Sequence, residues 1–389
     1  MDTAALKTAL ARDIDSRLPQ LKKLSHNLHE NPETAMTEHK AAAWLKTILE
    51  ENSFKVETGI YNLPTAFRAV YGQGKPVIGI LAEYDALPKV GHACGHNLIA
   101  TASVAAGIAS KLAVDKCGGS VIVYGTPGEE GDAGKALMAE RGAFKDIDVA
   151  MICHPGGGNA VIEGALACQT LRVEFIGKAA HAAFNPESGI NALEAMILSF
   201  NAINALRQHI RPTARIHGII THGGDAANIV PEHSAATFYV RAADDDYLDI
   251  LKEKVVNCFT AGAIATGATL KHSWEGVRYA AMCNNFTMAK IFQKNMEALG
   301  LVIPLGSEEG SFGSTDVGNV SAIVPSIQPY VGIAPDEVSI HSSDFEKITG
   351  TEPALRTMLE AAKAMAFTVA DLLADPKTLK AVKDEFKKK

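Results

Sequence analysis

Three short apolar runs, at residues 77–81, 121–124 and 149–153, constrain the fold of this chain more than any other feature. Each is continuous in hydrophobicity and too short for an ordinary helix. A strand that is apolar on both faces must be covered on both, so the runs predict the interior of a sheet with helices packed on it. The stretch 98–112 is crowded with Ala, Ser and Gly and reads as a helix lying close against that sheet. Helices between strands predict parallel pairing. The same stretch is too short and too rich in small residues to predict a membrane span.

Near Thr170 the texture changes. Leu171, Val173 and Phe175 alternate with Arg172 and Glu174, which is the period of a half-exposed strand. The pattern then predicts a helix over 191–208, strands over 215–221 and 236–241, a helix over 247–266 and a strand over 269–274. That order is βαββαβ, a ferredoxin-like split arrangement. The chain returns through a predicted helix at 287–299 and a strand at 326–331. At 389 residues two domains are expected. The boundaries fall at a larger domain of residues 1–168 and 279–389 and an inserted domain of residues 169–278.

Charge and cysteine usage narrow the partners. A formal net charge of -7, with no basic run before the closing lysines, excludes nucleic acid as the main partner. Charges interrupt the first turns of the chain every few residues, so no signal-peptide core is visible. Six cysteines, at 94, 117, 153, 168, 258 and 283, show no paired spacing. A reducing compartment, the cytoplasm, is expected, with no disulfide framework and no membrane partner.

The ends of the apolar runs carry the chemistry. The first is followed by Glu83-Tyr84-Asp85 and then Gly91-His92-Ala93-Cys94-Gly95-His96-Asn97; the second by Thr126-Pro127-Gly128-Glu129-Glu130-Gly131; the third ends in Cys153-His154-Pro155. Cys94 and His96 would diverge on a helix, but in a glycine-flanked turn both can face one ion. Thiolate and imidazole suit zinc, manganese, cobalt or nickel better than calcium. Of two adjacent glutamates, one can bind metal while the other takes a proton from water. Asp85 is placed to orient a ligand histidine, and His341, after a further strand, offers one more imidazole. Locally each has a bland reading: a buried thiol, an acidic turn, a strand cap. Three successive strands delivering such groups at their carboxyl ends favour a site, because open parallel sheets bind ligands there. His181, Asn228 and Arg241 read locally as a surface histidine, a turn residue and a solvated strand end. There is no G-x-S-x-G elbow, Walker loop or G-x-G-x-x-G.

Taken together, Leu28-His29-Glu30-Asn31-Pro32-Glu33, Ala82-Glu83-Tyr84-Asp85-Ala86-Leu87-Pro88, the Gly91–Asn97 turn, the Pro127–Gly131 loop, Cys153-His154-Pro155 and the 339–345 segment resemble the aminoacylase and carboxypeptidase family of dinuclear metallopeptidases. Within it they resemble the branch of p-aminobenzoyl-glutamate and β-alanyl dipeptide hydrolases. The resemblance implies a zinc-peptidase-like α/β catalytic domain with a mixed, largely parallel sheet, and an inserted lid that forms a homodimer. It implies that Cys94, His96, Glu130, His154 and His341 hold one or two divalent ions, zinc or manganese, with cobalt or nickel as substitutes. Cys94 would bridge two ions, and Glu129 would be the general base. His181 would stabilise the oxyanion, while Asn228 and Arg241 would hold a small amide substrate bearing a carboxylate. Two sequence positions depart from relatives: Asn97 stands where auxin-conjugate hydrolases place Asp, and Glu83 where dinuclear aminopeptidases place a ligand histidine. The expected activity is metal-dependent hydrolysis of a dipeptide, an N-acyl amino acid or an aminobenzoyl-glutamate. The rivals are a non-catalytic metal-binding scaffold or inactive-alone member of a heteromeric hydrolase, against which the intact Glu129 argues, and a thiol-dependent amidase using Cys94 and His96.

Overall fold

The computed structural model describes residues 3–310, 313–335 and 337–388. The chain divides into two compact units. The first takes in the chain up to Gly164 and the segments beginning at Met282 and Thr315; the second runs Ala165–Ala281 and includes Gly313 and Ser314.

The first unit is built on a six-stranded sheet. Its order is Lys55–Thr58, Phe67–Gln73, Gly119–Gly125, Val77–Ala82, Val149–Met151 and Ser326–Ile327. The last four are mutually parallel, as the apolar runs predict, and nearly all of their residues are buried. Phe67–Gln73 pairs antiparallel with Gly119–Gly125, and Lys55–Thr58 antiparallel with it in turn. The outermost strand exposes Lys55, Glu57 and Thr58, charged and polar groups that suit an edge.

The helix predicted over 98–112 spans His96–Cys117. By length and composition it is long and apolar enough to cross a membrane, which corrects the sequence reading, yet nearly all of it is buried inside the protein. Its small residues permit close packing: a Cβ on Gly107 would lie 2.3 Å from Cγ2 of Val123 in the sheet. The helix packs against Glu352–Ala374 and Ala4–Ser16. Ala4–Ser16 buries Leu6, Leu10 and Ile14, a stripe of helical period.

The second unit is a four-stranded antiparallel sheet ordered Thr269–Tyr279, Ala167–Ile176, His233–Ala242, Arg215–His222. With helices Ala192–Leu206 and Asp245–Thr266, the chain order is βαββαβ. Leu171, Val173 and Phe175 turn inward and join Phe238 and Phe259 in the core. Asn191 and Asp244 cap the two helices, each accepting backbone N–H bonds from the first turn, and Gly267, at φ +75°, ends the second.

Candidate active site

The first parallel strand ends at Ala82 and is followed by buried Glu83, Tyr84 and Asp85. The chain then loops to Gly95, whose φ of +82° is costly for any residue with a side chain. A Cβ there would also lie 2.5 Å from Cγ of Pro155. The left-handed residue lets the helix begin at His96 with Cys94 outside it. His96 is thus the first helical residue and not a turn residue as the sequence suggests.

The other strand ends converge on the same place. Cys94 Sγ lies 3.5 Å from His154 Nε2, and His341 Nε2 lies 3.0 Å from Glu130 Oε1. Three triplets, Cys94/His96/His154, Cys94/Glu130/His341 and His96/Glu129/Glu130, each place one ligand atom per residue within 4.8 Å of the others. The structure therefore brings together Cys94, His96, Glu129, Glu130, His154 and His341. His341 sits in a loop leading into the helix Ser343–Thr349, not directly after a strand, and its N–H donates to the Ala93 carbonyl.

The hydrogen bonds around the cluster fix its polarity. His96 Nδ1 lies 2.8 Å from the Asp85 carbonyl oxygen and 3.1 Å from Asp85 Oδ1. Both partners accept, so Nδ1 carries a hydrogen and Nε2 is the nitrogen that faces the cluster. That Nε2 is buried and has no hydrogen-bond partner. His154 Nδ1 lies 2.7 Å from the Pro155 carbonyl, which aims its Nε2 at Cys94 by the same logic. Asp85 Oδ2 accepts the Glu130 N–H at 2.9 Å, so one carboxylate braces two members of the cluster.

Charge follows geometry. Burial works to raise Asp85, but the charge and hydrogen bond of His96 outweigh it and hold the carboxyl at about 2. Burial lowers His154 to about 4, keeping the imidazole neutral as metal binding requires. Burial also opposes ionisation of Glu130, but its bond to His341 and the His96 charge bring its pKa down. Burial pushes the Cys94 thiol up, a cost that a coordinated cation reverses. A buried imidazole nitrogen lacking a partner, set beside a thiol, a second imidazole and carboxylates at ligand spacing, fits a divalent ion.

Sequence reading missed a second buried group. Lys135, fully buried, places Nζ 2.5 Å from Glu83 Oε1 and 2.6 Å from Asp316 Oδ1, and its N–H donates to Asp316 Oδ2. Glu83 Oε2 lies 3.6 Å from His96 Nε2. Burial pushes Glu129 up, the charges of Glu83 and Asp316 add to this, and Lys135 opposes it. The available signal was a lysine among inward-facing small residues in the short helix Gly134–Glu140, just after the glutamate loop.

In the second unit His181 is exposed, and its Nδ1 accepts the N–H groups of Ala183 and Phe184 at 3.2 and 3.0 Å. Its Nε2 in the neutral ring is therefore the donor, directed outward. Asn228 lies beside it: the Ala182 N–H donates to the Asn228 carbonyl, and Ile229 bridges to His181. Arg241 is not with them. It pairs in register with Cys168, whereas the His181 turn follows Ile176, which pairs with His233 at the other end of the strand. Eight residues of strand separate the two ends, roughly 25 Å. Arg241 Nη1 donates to Ser314 Oγ at 3.2 Å.

An α/β unit presenting a thiol, imidazole and carboxylate cluster at its strand ends, interrupted by a separate βαββαβ unit, defines a metallohydrolase of the two-domain peptidase class. Residues 168–266 match the family model described as a peptidase dimerisation domain. The chain is 38% identical to the Xaa-Arg dipeptidase of Mus musculus, over 98% of this chain and 92% of that protein. It is 30% identical to one of the two component chains of the p-aminobenzoyl-glutamate hydrolase of Escherichia coli (strain K12), over 93% of this chain and 91% of that one. The Bacillus subtilis YXEP protein, described as a dinuclear metal binding peptidase from the M20 family, superposes with a TM-score of 0.70 at 20% identity, covering 92% of this chain and 99% of its own. The chain belongs to the M20 peptidase family, and it is a metal-dependent hydrolase of amide bonds.

Proposed function

We propose that the protein cleaves a dipeptide-like amide carrying a free carboxylate, with Glu129 as general base and Cys94, His96, Glu130, His154 and His341 as metal ligands. The convergence of those six side chains from separate segments carries this reading. Cys94 belongs to two of the ligand triplets, which supports two ions sharing its sulfur, zinc or manganese by the chemistry of the donors. A bound ion would polarise the scissile carbonyl and ease ionisation of water. Glu129 accepts the proton of the attacking water and returns it to the leaving nitrogen. His181 offers an N–H to the developing oxyanion, and Arg241 a guanidinium to the substrate carboxylate.

His181 and Arg241 stand too far apart in one inserted unit to touch the same small substrate. This supports a homodimer in which the two ends of that unit serve different active sites. The edge strand Arg215–His222, paired on one side and exposing Ile219 and Ile220, suits such an interface. Six free thiols support the cytoplasm as the location. Between the two relatives, the higher identity favours a dipeptide over an aminobenzoyl-glutamate.

The test is hydrolysis of a panel of alanyl and β-alanyl dipeptides, N-acetyl amino acids and p-aminobenzoyl-glutamate, with EDTA and then with added zinc, manganese or cobalt. Metal-restored cleavage of dipeptides is expected. Glu129→Gln should lower kcat by about 10²–10⁴ while metal content stays unchanged. Full turnover by that variant with metal bound would refute the base assignment, and silence across the panel would favour a protein that is inactive without a second, different chain.

A further inference from the structure

A cavity of about 380 Å³ is lined by chain neighbours of the proposed metal ligands and plays no part in the chemistry above. Its walls include Pro155, the residue after His154, and Ile340, the residue before His341. Two proposed ligands are therefore chain neighbours of its lining, and the floor is Tyr330, whose ring sits 5.0 Å from that of His154.

The cavity is preformed. The strand His154–Gly156 pairs in parallel with Tyr330–Gly332. Ala160 and Tyr330 exchange backbone hydrogen bonds at 3.0 and 2.7 Å, and the Gly332 N–H donates to Asn159 Oδ1 at 2.9 Å. Between these ties the wall is Gly156-Gly157-Gly158, which contributes backbone and no side chains. A Cβ on Gly156 would come within 3.7 Å of the Tyr330 ring and narrow the space above it. The Tyr330 hydroxyl accepts a hydrogen bond from Gln328 Nε2, so the ring is held in place.

Among the described lining residues only Glu163 carries a charge. It belongs to the short strand Ile162–Glu163, paired with Gly306–Ser307, and its carbonyl accepts the side-chain N–H of Asn284 at 2.9 Å. The backbone that presents the carboxylate is thus fixed, and the side chain is half-buried. A glycine-walled slot with an aromatic floor and one carboxylate is complementary to a flexible aliphatic stem ending in a cation. It opposes a substrate side chain that ends in a carboxylate.

We propose that this cavity is the side-chain pocket for the substrate and that Glu163 selects a guanidinium or primary ammonium group in it. The proposal rests on the dipeptide reading above and adds the residue that separates a basic dipeptide from an aminobenzoyl-glutamate.

The experiment measures kcat and KM of the metal-loaded protein and of Glu163→Gln and Glu163→Lys on Ala-Arg, Ala-Lys, Ala-Leu and Ala-Glu, together with calorimetric binding of L-arginine. Glu163→Gln should raise KM for Ala-Arg and Ala-Lys by about tenfold or more and leave Ala-Leu within about twofold. It should weaken L-arginine binding to the same degree. Glu163→Lys should shift preference toward Ala-Glu. Equal losses on Ala-Leu and Ala-Arg, or unchanged values on Ala-Arg, would overturn the pocket assignment while leaving the dipeptidase reading intact. If no dipeptide is cleaved, that reading fails, and L-arginine binding still decides the pocket: a loss in Glu163→Gln supports it, and no difference refutes it.

Discussion

His154 in the first unit and His181 in the second are both anchored through Nδ1 to nearby backbone, but with opposite polarity. His154 Nδ1 meets the Pro155 carbonyl, and His96 Nδ1 meets that of Asp85, so both turn Nε2 toward the cluster. His181 Nδ1 meets two N–H groups, so it turns an N–H outward. The same side chain is set as a candidate cation ligand in one region and as an N–H donor in the other. Which it becomes depends on whether a carbonyl or an amide N–H lies beside Nδ1. The two regions also differ in burial: His96 and His154 are enclosed, while His181 stands in the open.

The largest effect expected from breaking this comparison is at His181. His181→Ala should lower kcat by about 10²–10³, the usual cost of one oxyanion donor, with metal content and Tm unchanged because the residue is exposed. Loss of metal would contradict the donor role. Mixing His181→Ala with Glu129→Gln, each nearly inactive alone, sharpens it. If His181 acts across a dimer, random exchange should restore about a quarter of the wild-type activity, since half of the dimers are mixed and each has one intact site. If it acts within its own chain, no activity returns.

A smaller effect is expected on the cation-binding side. Asp85→Asn keeps the shape, but one side-chain oxygen becomes an NH₂, which cannot accept the Glu130 N–H. Metal affinity, read by competition with a chelator, should fall about 10–100-fold, as is usual when the partner of a ligand is altered. Unchanged affinity would show that Asp85 does not brace the cluster.

The sequence made the cluster legible because Cys, His and paired Glu are uncommon at the ends of buried strands, and three apolar runs in a row placed them there. The parallel core and the βαββαβ insert were legible for the same reason: unbroken hydrophobicity and strict alternation have distinct periods. Phe67–Gln73 and Lys55–Thr58 escaped because the first alternates over only four residues and the second is nearly all exposed. Lys135 and its pairing with Asp316 escaped because a buried lysine is recognisable only by its partners, and these lie far along the chain, at Glu83 and at 181 residues' separation. The distance between His181 and Arg241 was likewise invisible, since it depends on strand register.

Glu38 presents a third combination, with donors of the His181 kind closing on an enclosed carboxyl. Its Oε1 accepts the N–H groups of Met36 and of Gly128, at the start of the glutamate loop, and its Oε2 accepts the Thr65 hydroxyl, all at 2.9 Å. Burial raises its pKa from 4.5 to about 7, the backbone and Thr65 bonds oppose this, and the Asp85 charge adds to it. A carboxyl raised in the folded state binds a proton that the unfolded chain has released. Its stabilising contribution is complete below pH 4.5 and is lost as pH rises to about 7. The loss is on the order of 3 kcal/mol. Glu38→Gln mimics the protonated acid and does not titrate. Its Tm relative to wild type should therefore climb by a few °C between pH 5 and pH 8. A difference that stays flat across that range would mean that the three hydrogen bonds hold Glu38 ionised throughout, and that amide donors, not burial, set the state of this carboxyl as they set the polarity of His181.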